Sequence, residues 1–167
     1  MASVKGSCTG SSSGYYDLLM HYELNSQSIS DNKSNITVYV TLQRNNGYAN
    51  SAVNLYENQN TAYLSVGGSV KVDKHLTIDT RNSRVAELSR WTGDVYHSAD
   101  GTLNLSLNAS FTMGLSNLSG GSVAASWALP RIPRTSTISL SKSSVDAGGT
   151  VRVNIQAASS DFSQIFL

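Results

Sequence analysis

The sequence predicts an all-β protein: an antiparallel β-sandwich of jelly-roll type, followed by an incomplete second β module. Three observations support this prediction. Apolar and polar residues alternate without a break over 36–43 and again over 103–113, which is the period of a half-buried strand. Turn signals recur at short intervals, and no stretch shows a helical period. The polar residues are largely Ser, Thr, Asn and Gly, which favour strands and turns over helices.

The strands of the first module follow from these patterns in chain order. A strand dense in Tyr and Leu is predicted at 15–24, and a polar loop is expected over 25–35, within which 27–29 also fits the extension of a strand end. The segment 84–91 breaks strict alternation, which fits either a β-bulge or a single helical turn. Further strands are predicted at 3–8, 36–43, 52–56, 61–66, 70–78, 95–97, 102–113 and 123–129, with glycine-containing turns at 45–47, 67–68, 98–101 and 117–122. Short strands with such turns predict two packed sheets.

Pro130 and Pro133, the two prolines of the chain, mark the boundary between the modules. Each fixes its own φ and pushes the preceding residue toward extended geometry, so we expect a stiff connector. The predicted organisation is a β-sandwich module over 1–129, a Pro-rich connector over 130–135 and the beginning of a second module over 136–167. Strands at 137–141, 150–156 and 162–167 are too few for a complete second sandwich.

The bulk composition narrows the functional classes. Twelve basic and 11 acidic residues give a net charge of +1 without a long run of like charge, so neither nucleic acid nor a membrane is an expected partner. The first residues lack the apolar core of a secretory signal, so we expect synthesis in a cytoplasm without a signal peptide. Cys8 is the single cysteine; it excludes an intrachain disulfide and is expected to be an inert strand residue.

Four stretches carry a resemblance to a known family. The first stretch, 27–38, is a polar loop that runs into an alternating strand. The second stretch, 95–101, is the turn that comes before the long alternating strand. The junction at 129–136 has the form L-P-x-I-P-R-x-S, and the stretch 159–165 opens the next module. In this order they resemble the minor structural and receptor-binding tail proteins of siphophages that infect Gram-positive bacteria. The sequence departs from the family pattern at Ser98, where Asn is usual, and at Gln164, where His is usual.

The resemblance implies a function as well as a fold. It implies that the second module is Ig-like, that this chain is the N-terminal piece of a longer protein, and that the protein is located in the virion tail. It also implies partners among other tail proteins, a homo-oligomeric assembly such as a trimer, and adsorption to host cell-wall polysaccharide. Two alternatives stay open: a purely structural tail scaffold or decoration module, and, more remotely, a glycan-cleaving enzyme domain. The sequence contains no arguable catalytic constellation, so we expect binding without chemistry and without a cofactor.

Aromatic residues are the candidates for glycan contact, because flat apolar rings with polar edges suit pyranose sugars. Four of them fall on predicted loops or on polar-facing strand positions. These candidates are Trp91, Tyr39, Tyr48 and Tyr63. Trp127 and Phe111 share strand faces with apolar residues and are expected in the core instead.

Two further groups are assigned structural roles. His97 is expected to tie its loop with a hydrogen bond, and Asp100 with Gly101 to form a tight turn. A metal site formed by His97, Asp100 and the nearby Asp94 is the less favoured interpretation, because the three histidines of the chain show no ligand spacing. The second group is the module junction, in which the arginines either solvate the connector or form ion pairs across an interface. It consists of Pro130, Arg131, Pro133 and Arg134.

Overall fold

The computed structural model describes residues 1–45, 54–55, 60–81, 83–134 and 137–156, and this part of the chain is built almost entirely from β-strands. One short 3-10 turn, Ser13–Tyr15, interrupts them. The strands are β1 (Ala2–Lys5), β2 (Ser7–Thr9), β3 (Tyr16–Ser28), β4 (Lys33–Arg44), β5 (Asn54–Leu55), β6 (Thr61–Val66), β7 (Ser69–His75), β8 (Ile78–Asp79), β9 (Val85–Tyr96), β10 (Asn104–Thr112), β11 (Gly120–Ala128), β12 (Thr137–Leu140) and β13 (Val153–Gln156).

Two antiparallel sheets form the sandwich, which confirms the predicted fold class. The first sheet has the strand order β1-β3-β4-β9, and the second has the order β2-β11-β10-β6-β7. Their inner faces meet in one hydrophobic core that draws on both sheets. Two smaller ladders, β5 with β8 and β12 with β13, complete the strand pairing that the structure describes.

The predicted alternation decides which side chains enter the core. On β4 and β10, every second residue enters the core and the residues between them form an outer face, as expected for strands with one face in a core. On the outer face of β4, Thr37 and Thr41 are also buried. Phe111 is buried, as predicted, whereas Trp127 is only half-buried and its ring contacts that of Tyr22 at the margin of the core. The largest fully buried side chains are Phe111, Leu18, Met20, Ile36, Leu42, Leu64, Ile78, Leu88, Leu107, Leu118, Ile132 and Val38.

The predicted first strand at 3–8 is wrong in one respect, because it is two strands in different sheets. β1 pairs with β3 in the first sheet, and β2 pairs with β11 in the second. Gly6 separates them, and its N–H donates a hydrogen bond to the Leu18 carbonyl at 2.8 Å. A Cβ on Gly6 would lie 2.3 Å from the carbonyl oxygen of Ser122. Only glycine therefore lets the chain cross between the sheets at this point.

The structure corrects the prediction for the polar stretch 25–35 and decides between the two interpretations of the segment 84–91. The polar stretch 25–35 is largely strand, because β3 continues to Ser28 and β4 begins at Lys33. Its polar side chains pair across the hairpin instead of forming a long loop. The segments 84–91 and 95–97 belong to the single strand β9, in which Leu88 and Ser89 are both buried. The register against β4 shifts at this place, so the broken alternation reflects a bulge and not a helical turn.

The region after the connector contains the β12–β13 hairpin, at the predicted places. Three predicted elements lie wholly or mostly outside the described residues: the turn at 45–47, of which only Asn45 is described, the strand at 52–56 and the strand at 162–167. The glycines of the predicted turn at 117–122 belong instead to β11, which begins at Gly120. The module boundaries and the Ig-like character of the second module stay predictions.

Candidate functional site

Tyr39 lies on the outer face of the first sheet, where both faces of its ring are covered. His21 on β3 and Arg90 on β9 are its cross-strand neighbours on opposite sides. The His21 ring stacks on it with centroids 4.6 Å apart, and the guanidinium carbon of Arg90 lies 4.1 Å from its centroid. Only the edge and hydroxyl of Tyr39 remain, and the hydroxyl contacts the Met1 sulfur at 3.2 Å. Tyr39 therefore has no free ring face for a sugar.

The two basic side chains around Tyr39 are His21, whose pKa is lowered, and Arg90, which is paired with a carboxylate. Burial lowers the pKa of His21, and the charge of Arg90 adds to this effect, so the imidazole is neutral at neutral pH. Arg90 also forms an ion pair with Glu87, with 2.6 Å between Nη2 and Oε2, and this hydrogen-bonded carboxylate raises the pKa of Arg90. The stack of His21, Tyr39 and Arg90 therefore makes its contacts within the protein and offers no ring face to a ligand.

Trp91 does not lie on a loop or a polar-facing position, and the interpretation that placed it there is wrong. It is opposite Val38, a core residue, and so it points toward the inner face of the first sheet. Its ring packs at the margin of the core, with the Lys71 ammonium on β7 4.9 Å from the ring centroid. Trp91 closes the lateral opening between β9 and β7. The sequence missed this position because the bulge at Leu88 reverses which residues of β9 face inward.

Tyr63 is the candidate that the structure places in a groove. It lies on the outer face of the second sheet, and no aromatic ring or cation covers it among the described side chains. A groove of about 670 Å³ runs beside it. The lining residues are Lys5, Gly6, Ser7, Tyr63, Asn108, Ala109, Ser110, Ser122, Val123 and Ala124. Tyr48, the fourth candidate, lies outside the described residues.

The groove is shaped by a cross-strand row of small side chains. In register, Tyr63 on β6 is opposite Ser110 on β10, which is opposite Ser122 on β11, which is opposite Ser7 on β2. Directly opposed residues point to the same side of a sheet, and four strands span about 14 Å at the usual strand spacing. On its other side Tyr63 is opposite Asp73 of the edge strand β7. The outer faces of β10 and β11 carry Asn108, two serines and Ala124 here, so the floor of the groove beside Tyr63 is low and largely polar.

The chemistry of the groove is that of hydrogen bonding and stacking. Its serine hydroxyls donate and accept, and the amide of Asn108 does both. Lys5 is the charged lining residue, and its ammonium lies 2.6 Å from the Asp17 carboxylate, so the groove carries little net charge. Over the residues that the structure describes, no group of three His, Cys, Asp or Glu side chains is placed to hold a metal ion.

Tyr96 is an exposed aromatic residue that is not among the four glycan-contact candidates predicted from the sequence. It lies on the outer face of β9 opposite Lys33, and 69% of it is exposed. Nearby, Asp94 accepts a hydrogen bond from Asn35 at 2.8 Å and pairs with the Lys33 ammonium at 2.9 Å. Its position two residues after Asp94 places it on the same polar face of the strand, and this spacing could have indicated its exposure.

The turn and junction residues, predicted as two separate groups, lie together. His97 is buried and bonds the Gly101 carbonyl through Nδ1 at 2.7 Å, as expected for a residue that ties its loop. The Asp100 carboxylate accepts bonds from the backbone and hydroxyl of Thr102, which lower its pKa. Arg131 donates from Nε to the Asp100 carbonyl at 2.9 Å. This contact is within the chain; an ion pair of the arginines across an interface stays a prediction.

Pro130 and Pro133 are exposed and flank the buried Ile132. Arg134 follows, and its Cγ would lie 3.4 Å from a Cβ placed on Gly101. The junction therefore lies against the turn over most of its length. In the described part of the chain, no helix is long and apolar enough to cross a membrane.

Fold and surface together define a two-sheet antiparallel β-sandwich with a polar, groove-bearing outer face. Residues 9–165 match the family model described as "Siphovirus protein of unknown function (DUF859)". This match covers most of the chain, and the protein belongs to that siphovirus family. The curated proteins contain no match to the sequence.

Proposed function

We propose that this protein is a structural component of the siphophage tail and that its sandwich module takes part in host adsorption by binding cell-wall polysaccharide. The observation that carries the proposal is the row of Tyr63, Ser110, Ser122 and Ser7 along one open groove. An accessible aromatic ring beside several hydroxyl groups suits a sugar chain, since it offers stacking and directional hydrogen bonds together.

The proposed mechanism is binding without chemistry. Each groove is shallow and open, so a single module would bind a glycan weakly. Assembly with other tail proteins, or as a homo-oligomer, would display several grooves on one particle. Linked sites raise the effective concentration of each further binding event, and the particle would then bind the wall far more strongly than one module.

The first experiment is sedimentation of the purified chain with Gram-positive cell walls, before and after their surface polysaccharide is removed. The proposal expects co-sedimentation with intact walls and its loss after stripping. Absence of binding to intact walls from any susceptible host would overturn adsorption by this module and favour the scaffold alternative. Release of reducing sugar from the walls would contradict binding without chemistry.

Two groove variants and one matched control assign the site. Tyr63→Ala removes the ring, and we expect wall affinity to fall about tenfold, the effect of roughly one stacking contact. Ser122→Gln fills the groove floor from an exposed strand position and should weaken binding while the fold is retained. Tyr96→Ala removes a more exposed tyrosine outside the groove and should leave affinity unchanged. Equal affinity of all three variants and the parent would exclude the groove.

A further inference from the structure

The last residue of the sandwich module and the first residues of the connector, 129–132, are bound to the sandwich through their main chain. Leu129 N–H donates to the Leu103 carbonyl at 3.0 Å, and Ile132 N–H donates to the Gly101 carbonyl at 2.9 Å. The Ile132 side chain is fully buried, and that of Leu129 nearly so. The proline spacing predicts a stiff extended segment, but it does not indicate that the segment is bound. Two main-chain bonds and two buried side chains hold four consecutive residues in place.

A chain of hydrogen bonds links Pro130 to Ile132 within this bound segment. Gln27 Nε2 donates to the Pro130 carbonyl at 2.8 Å and to Ser34 Oγ at 3.1 Å. Ser34 Oγ in turn bonds His97 Nε2 at 2.7 Å, and His97 Nδ1 bonds the Gly101 carbonyl at 2.7 Å. The Gly101 carbonyl also accepts from Ile132, so the bonds that start at Pro130 return to the connector.

The donors and acceptors of this hydrogen-bonded ring fit in one direction. A carbonyl only accepts, so His97 donates from Nδ1 to Gly101; in the tautomer that carries its proton at Nδ1, Nε2 accepts from the Ser34 hydroxyl. The Ser34 oxygen then accepts from Gln27, whose amide has a second hydrogen for Pro130. Ser34 is fully buried and His97 nearly so, which makes the loss of any link costly.

Two backbone features hold the turn that receives the connector. Asn32 adopts φ +53, and its amide donates to the carbonyls of His97 at 2.9 Å and Ser98 at 3.0 Å. Gly101 adopts φ +83, and a Cβ there would lie 2.0 Å from the Ile132 carbonyl oxygen. A side chain at 101 is therefore excluded both by the backbone conformation and by the connector itself.

We propose that this ring is an orientation lock, which makes the sandwich and the connector one body as far as Ile132 and so fixes where the chain leaves toward the second module. Gln27, Ser34 and His97 are positioning residues in this device. The lock would act in the same way whichever ligand the sandwich binds.

Limited trypsin digestion of the full chain tests the lock at a peptide bond inside the bound segment 129–132. The peptide bond after Arg131 leads into the buried Ile132, whereas the bond after Lys142 lies in an exposed part of the second module. Proteolysis follows the population of locally opened chain. We expect the native protein to be cut after Lys142 well before it is cut after Arg131. Equal rates at the two bonds would overturn the proposal.

Matched variants separate the lock from general stability. Gln27→Ala should raise the cleavage rate after Arg131 at least severalfold. Asn25→Ala is the matched control, because it removes two side-chain hydrogen bonds from the same strand but none to the connector, and it should leave this rate unchanged. Gly101→Ala should raise the rate further, and Gly68→Ala, with φ +79 but open space around it, should leave it unchanged. Thermal unfolding of each variant identifies global effects. If Gln27→Ala stays folded and behaves like Asn25→Ala, the ring does not hold the connector.

Discussion

The indole of Trp91 occupies the space directly above Gly93, two residues further along the same strand. A Cβ at position 93 would lie 2.4 Å from Cζ2 and 2.9 Å from Cε2 of the indole. Gly93 is opposite Ile36, whose side chain is in the core. The absent side chain at 93 is therefore what allows the tryptophan to close the margin of the sandwich.

Gly93→Ala should destabilise the protein by about 1–3 kcal/mol, because the new methyl group forces the indole off its position at the core margin. Urea denaturation followed by tryptophan fluorescence measures the loss. Gly14→Ala is the control, since a Cβ at 14 meets nothing within 4 Å. Equal stability of the two variants would mean that the Trp91 ring can move aside without cost.

Phe111→Ala should cost about 3–5 kcal/mol of unfolding free energy, because it empties the centre of the core between the sheets. Ser106→Ala on the same strand points to the outer face and should change stability by less than about 0.5 kcal/mol. Chemical denaturation of both variants checks the difference. Similar values for the two would contradict the assignment of the inner face of β10.

The fold was largely predictable because strands with one buried face leave a direct pattern in the sequence. The alternation at 36–43 and 103–113 predicted the faces of β4 and β10 residue by residue. Two features escaped this reasoning for physical reasons. The crossing at Gly6 depends on the Ser122 carbonyl, which is distant in sequence. The bulge at Leu88 inverts the faces of β9 beyond it, so Trp91 was assigned to the wrong side.

The candidate site was predictable only in part, since a groove arises from the register of several strands. Tyr63 was nominated from its position, but nothing local indicates that Ser110, Ser122 and Ser7 line up with it. Tyr39 had the same local signature, and its ring is covered by neighbours from two other strands. The contact between the 97–101 turn and the connector likewise joins stretches about 30 residues apart in sequence.

Cys8 should react slowly with alkylating reagents. Burial, with the Asp17 charge as a second cause, raises the pKa of its thiol to about 11 from 9.0. The reactive thiolate is then about 100-fold rarer near neutral pH than in an unperturbed cysteine. We expect the rate of iodoacetamide labelling, followed by mass spectrometry, to rise about tenfold per pH unit up to about pH 11. Urea-unfolded protein is the control and should label at the ordinary rate.

Asp17→Asn should accelerate the same labelling reaction, because it removes a negative charge that opposes thiolate formation while Lys5, which favours the thiolate, remains. The effect should be smaller than that of unfolding, since burial is the larger cause of the raised pKa. Unchanged labelling of a folded Asp17→Asn variant would show that the carboxylate does not act on Cys8.

Asp94 should make the stability of the sandwich depend on pH at the acidic end. Hydrogen bonds from Asn35 and then Lys33 lower the pKa of its carboxyl from the ordinary 3.8. The folded state thus favours the carboxylate, and the resulting stabilisation is complete above the ordinary pKa and disappears as the pH falls through the lower folded value. Urea denaturation at several pH values should therefore show Asp94→Asn less stable than the parent at pH 7 and equal to it at the lowest pH. In an Asn35→Ala background, where the leading cause is absent, the difference at pH 7 should be smaller. A difference that persists undiminished in strong acid would show that the carboxylate charge is not its origin.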